Sequence, residues 1–108
     1  MTYVFDIDGT LCTKTDGDYE MAMPIEHRIK KVNKLFSQGH TIVLLTARGM
    51  GRTGNSRKYA TEMFEELTKK QLKKWGVKYH ELFLGKPSGD FYIDDKGIND
   101  EDFFNTGD

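Results

Sequence analysis

The chain has 108 residues, near the commonest size for one domain, and that length supports a single hydrophobic core. Its 16 Lys and Arg face 17 Asp and Glu, and a net charge of −1 gives no global footprint of a nucleic-acid binder. The lone cysteine, Cys12, excludes an internal disulfide and suits a reducing cytoplasm, and no apolar run approaches the roughly 18 residues of a membrane span.

The N-terminal MTYVFDID has no basic stretch ahead of an apolar one, so it reads as a strand rather than a signal peptide. Tyr3–Phe5 supplies the strand, and Asp6 and Asp8 follow it with only Ile7 between them. The polar TKTDGDYEMAM then leads to a helix. Pro24 suits its first turn, Ile25, Ile29, Val32, Leu35 and Phe36 recur at helical spacing, and Gly39 ends the run. Thr41–Leu45, TIVLL, is nearly continuous apolar sequence, as expected for a strand covered on both faces.

A glycine-rich basic loop, RGMGRTGNSRK, comes next. Residues 49–54 spell G-x-G-x-x-G, but after the second strand and without the expected acid downstream, so a loop beside the site is the better reading. Tyr59, Met63 and Leu67 mark a helix face, and a capping-box pattern from Thr68 to Gln71 leaves open whether residues 56–75 form one helix or two. Glu81–Leu84 and Phe91–Ile93 read as two further strands, with Phe103 and Phe104 docking on the core. The alternation predicts one α/β domain, residues 1–108, built on a mostly parallel sheet.

Such sheets bind ligands at the carboxyl ends of their strands. Asp6 and Asp8, then Thr46 and Arg48, then Lys86, then Asp94 and Asp95 all fall at those ends. Two unit charges about 5 Å apart repel by roughly 3 kcal/mol at an effective dielectric near 20. Four convergent carboxylates therefore call for a hard divalent cation such as Mg²⁺, which takes one or two carboxylates and substrate oxygens. A cation beside a spare carboxylate suits phosphoryl transfer through an aspartyl-phosphate.

VFDIDGT, LLTARG, GKP and YIDDK resemble, in order, the four motifs of the haloacid dehalogenase-like (HAD) phosphatases. More narrowly, GDYEMAMP, TARGM, KKWG and GKPSGDFYIDDK are similar to a small capsule-biosynthesis type. The resemblance implies a Rossmann-like core with sheet order 3-2-1-4 flanked by helices. It implies Asp6 as nucleophile, Asp8 as general acid and base, and Thr46 and Lys86 on the phosphoryl oxygens. Mg²⁺ would sit on Asp6, the backbone carbonyl of Asp8 and Asp94, supported by Asp95, with the choice between the last two acids left open. Arg48 is similar to a motif-two arginine that grips substrate phosphate in polynucleotide 3′-phosphatases, and Arg52 adds a second cation. The family's caps are inserted after the first motif or the third strand. Here the first insertion spans only about Leu11 to Met23 and the second is absent, so an open, capless site is expected.

One departure stands out. Only PSGDFYI separates Lys86 from Asp94, whereas a parallel crossover needs a dozen or more residues. Lys96 is accordingly a rival for the phosphate-binding lysine. The expected activity is Mg²⁺-dependent hydrolysis of a small phosphorylated metabolite, such as a sugar phosphate of polysaccharide synthesis, in the cytoplasm. A polynucleotide 3′-phosphatase is the alternative enzyme, and a receiver-like phosphoacceptor module the alternative without turnover.

Overall fold

In a computed structural model that describes residues 1–105, three strands and three helices alternate along the chain. Strand β1 covers Thr2–Phe5, helix α1 Glu26–Ser37, β2 Thr41–Thr46, α2 Arg57–Lys74, β3 Glu81–Leu84 and α3 Asp100–Phe104. The sheet is wholly parallel in the order β1-β2-β3. Phe5 pairs with Leu44 and Leu44 with Leu82 across its centre.

The register sorts the side chains into two unlike faces. Phe5, Ile42 and Leu44 on one face are buried with Ile29 and Val32 of α1 and Leu72 of α2. Phe103 and Phe104 of α3 join them, ringed against Tyr3 and Phe5 as the sequence suggests. Val4, Val43, Leu45 and Phe83 point the other way, and Val4 and Phe83 remain 59% and 50% exposed. Right-handed crossovers explain the asymmetry. A chain that steps twice in the same direction, β1 to β2 to β3, lays both connecting helices on one side. The expectation of a sheet flanked on both faces is therefore corrected: all three helices cover one.

The fourth strand is a second correction. Phe91–Ile93 belongs to no strand and runs through solvent, with Phe91 84% and Ile93 94% exposed. The order 3-2-1 is present, and the final 4 is not. β3 is a full parallel member of the sheet, so the short link from Lys86 to Asp94 is resolved at the expense of the later strand.

Helix boundaries follow local chemistry. Ser56 caps α2 by accepting the Tyr59 N–H. The helix then continues unbroken through Thr68 to Lys74, so residues 57–74 form one helix. The capping-box signal at Thr68 fails because that hydroxyl is buried and accepts from Arg48 instead. Pro24 lies two residues ahead of α1, in a bridge with Cys12 rather than in the first helical turn.

Candidate active site

The three strands end at one edge of the molecule, and a cleft of about 490 Å³ opens there. Asp6 and Asp8 line it from the turn after β1, Ala47 and Arg48 from the segment after β2, and Lys86 from the segment after β3. The turn after β1 is wound around one carbonyl, that of Ile7, which accepts from the backbone of Thr10, Leu11 and Cys12. Ile7 is fully buried, which leaves the flanking Asp6 and Asp8 facing the cleft.

Lys86 reaches the cleft through Gly85. The backbone N–H groups of both residues donate to the Thr46 carbonyl, which turns the chain sharply off β3. Gly85 has φ +107°, a conformation that strains any L side chain, and a Cβ there would also come within 2.6 Å of Arg57, which would have to move. The result is an ammonium 3.9 Å from Asp6 Oδ1. Asp6 Oδ2 also accepts from the Thr10 hydroxyl at 3.4 Å. Burial pushes the Asp6 carboxyl above its ordinary range, and the Lys86 charge offsets only part of that.

Asp8 has a different environment. Arg48 Nε and Nη2 donate to its two oxygens at 2.9 and 3.0 Å, a fork-to-fork pair that fixes the carboxylate plane. Arg48 is only 1% exposed, and its remaining Nη1 donates to Gln71 Oε1 at 2.5 Å and Thr68 Oγ1 at 3.2 Å. Its donors are thus taken up within the protein. The expected grip of Arg48 on substrate phosphate gives way to a hold on Asp8.

Thr46 is buried, and its hydroxyl accepts from the Arg48 backbone N–H, which shapes the loop rather than opening onto the cleft. Arg52 does line the cleft, and its Nη2 donates to the Gly17 carbonyl at 2.7 Å, tying two loops together. Cys12 lies beneath Asp8 and is fully buried; burial and the Asp8 charge push its thiol up to about 12, so it stays protonated.

Asp94 and Asp95 do not join the cleft. Asp94 is on an exposed loop, where its Oδ1 accepts from the backbone of Lys96 and Gly97, and these bonds hold its carboxyl below the usual range. Lys96 shares that exposed loop, whereas Lys86 stands beside Asp6. Among the described residues no three His, Cys, Asp or Glu side chains are grouped to hold a metal. The Asp8 side chain is engaged by Arg48, and Asp94 and Asp95 are not among the residues that line the cleft.

Beyond the strand-end residues, Lys14, Tyr19 and Gln71 contribute; Tyr19 falls within the GDYEMAMP stretch, whereas Lys14 and Gln71 carry no such signal. Lys14 and Tyr19, from the short insertion, line the cleft. The Tyr19 hydroxyl accepts from the Gly49 N–H at 2.9 Å, and its ring packs edge-on against Phe64 and beneath Arg48. Gln71 bridges the Tyr19 carbonyl to Arg48, and only its helical spacing from Thr68 hints at that position.

No protein-family profile matches the sequence, and no curated protein does. Among solved structures, the chain is similar to a structural-genomics target from Vibrio cholerae, at 28% identity and a TM-score of 0.88. That likeness covers 96% of this chain and 87% of the other. It is also similar to the D,D-heptose 1,7-bisphosphate phosphatase of B. bronchiseptica, crystallised with magnesium and phosphate, at 15% identity and a TM-score of 0.55. That likeness covers 82% of this chain and about half of the phosphatase, 51%, and it is one of fold. The chain thus shares its α/β arrangement with part of that phosphatase.

Proposed function

We propose that the protein is a HAD-type phosphomonoester hydrolase in which Asp6 attacks phosphorus and forms an aspartyl-phosphate. The observation that carries this reading is the pairing of Asp6 and Asp8 at the carboxyl end of the sheet, in one cleft with Lys86. A phosphoryl group docked there meets a carboxylate nucleophile and a cation for its oxygens. Lys86, 3.9 Å from Asp6, neutralises charge as the two anions approach.

Asp8 is the proton carrier. Two residues beyond the nucleophile, it protonates the leaving oxygen and then takes a proton from the water that hydrolyses the acyl-phosphate. The Arg48 fork acts through it, as a positioning residue that holds the carboxylate in one orientation. A receiver-like module lacks such a second acid, so Asp8 favours turnover over stable phosphorylation.

Small phosphorylated metabolites, sugar phosphates among them, fit a cleft without a cap. The fold likeness to a sugar-bisphosphate phosphatase supports that substrate class. A Mg²⁺ requirement is part of the proposal, supported by the four-motif resemblance and by the magnesium in that phosphatase. The alternative substrate, a nucleic-acid 3′-end, loses its main support with Arg48 turned inward and keeps only Arg52 and the basic loop.

The test is a phosphate-release panel of sugar phosphates, nucleotides and a 3′-phosphorylated oligonucleotide, run with Mg²⁺. Wild type is expected to prefer a small sugar phosphate, and Asp6→Asn to lose at least about a thousandfold in kcat/KM. Full activity in Asp6→Asn would remove the nucleophile assignment.

A further inference from the structure

We propose that the protein works as a strand-exchanged dimer in which Phe91–Asp95 of a second copy lies along the outer edge of β1 and brings that copy's Asp94 and Asp95 to Asp6. The inference rests on the phosphatase reading for the role of the acid pair, and on the fold alone for the exchange.

Four observations lead to it. First, β1 is an edge strand: among the described residues it pairs only with β2, which leaves a row of backbone donors and acceptors open. Second, one sheet face is bare, with Val4 and Phe83 exposed, whereas wholly parallel sheets are almost always covered on both faces. Third, Phe91–Ile93 has strand composition, and Phe91 and Ile93 lie in solvent, while the Tyr92 ring between them rests against Lys86 at the cleft mouth. Fourth, the acids that would complete the charge pattern of the cleft follow this run directly.

A chain cannot make this pairing with itself. A strand parallel to β1 that sets Asp94 level with Asp6 puts Phe91 level with Tyr3. From Lys86, at the other side of the sheet, that position is three strand spacings across, ~14 Å, and about five residues down, ~16 Å. The straight-line distance is ~21 Å even through the sheet, whereas the five residue steps from Lys86 to Phe91 extend at most ~18 Å. An antiparallel course would be reachable but would leave Asp94 at the wrong end. A second copy has no such limit, because its segment enters from outside, with Pro87–Asp90 as the hinge between the body and the exchanged strand.

The occupant is therefore another copy of this chain and not an unrelated partner. The run and the edge that needs it are encoded in one sequence, and a two-fold exchange satisfies both copies at once. Each aromatic side chain carries roughly 150–250 Å² of surface. Two copies of Phe91, Tyr92 and Ile93, with the surface they cover, thus reach the ~1,200 Å² expected of stable interfaces.

Three measurements on the full chain decide it. Light scattering at micromolar concentration should give twice the monomer mass. Chains carrying Val4→Cys and Tyr92→Cys, both exposed positions, should form a disulfide that migrates as a two-chain species on a non-reducing denaturing gel. Co-expression of an Asp6→Asn chain with an Asp94→Asn/Asp95→Asn chain, each inactive alone, should restore about a quarter of wild-type activity, since half the dimers are mixed and each has one intact site. A monomeric mass, a disulfide confined within single chains, or no restored activity in a mixture that does dimerise would each overturn the exchange. If wild type releases phosphate from nothing in the panel, the functional reading fails, while mass and disulfide still decide the exchange.

Discussion

Asp6 and Asp8 are two residues apart yet live in different environments, and residue-scale behaviour follows from that difference. Burial raises the Asp6 carboxyl, so the folded chain binds its proton more tightly than the unfolded chain does. Stability from this group is then greatest below the unfolded value of 3.8 and declines as pH rises through the higher folded value. Asp6→Asn should consequently melt at a higher temperature than wild type at neutral pH, with the gain vanishing below about pH 4. Thermal scans at several pH values without added metal check this. Arg48 predicts the opposite sign. Arg48→Met strands Asp8, Thr68 and Gln71 without their donor and should cost about 2–4 kcal/mol in urea unfolding.

At the scale of elements, the site depends on close approaches where the strands end. Gly49 has φ +78°, and a Cβ there would meet Phe64 at 2.6 Å. Gly49→Ala should therefore lower stability by about 2–4 kcal/mol and disturb the Tyr19 anchor, visible as a changed KM as well as a lower melting temperature. Much of this scale was legible in the sequence. TIVLL and the Ile29–Val32 periodicity specify β2 and α1 because a strand or helix face announces itself within a few residues. Asp6, Asp8, Arg48 and Lys86 were legible as strand-end residues and Arg52 as a residue of the basic loop beside them, and all five line one cleft. What misled was chemistry whose partner is distant in sequence. Thr68 has the form of a cap but serves Arg48, twenty residues earlier. Arg48 has the form of a substrate clamp but is enclosed by α2 and Asp8. Phe91–Ile93 has strand composition, but pairing is a property of geometry, and the parallel place beside β1 lies beyond its reach.

The whole molecule is a half-covered sheet. Three helices stabilise one face, and α3 reaches its place through Phe103 and Phe104 and the Arg28–Asp100 ion pair at 2.6 Å. Removing the half-buried Phe104 ring should destabilise the chain by about 2 kcal/mol, measurable for Phe104→Ala by urea unfolding. The bare face and the stray apolar run lead at this scale to the proposed exchanged dimer, in which each copy would complete the acid set of the other's cleft. Phosphoryl transfer to Asp6 remains the centre of the account. The direct measurement is to quench wild type and Asp8→Asn during turnover of a simple aryl phosphate, reduce with borohydride, and map the modified residue by mass spectrometry. The account predicts reduction of Asp6 to homoserine, with more of it in Asp8→Asn; turnover with Asp6 unmodified in both proteins, or a label on another residue, would contradict it.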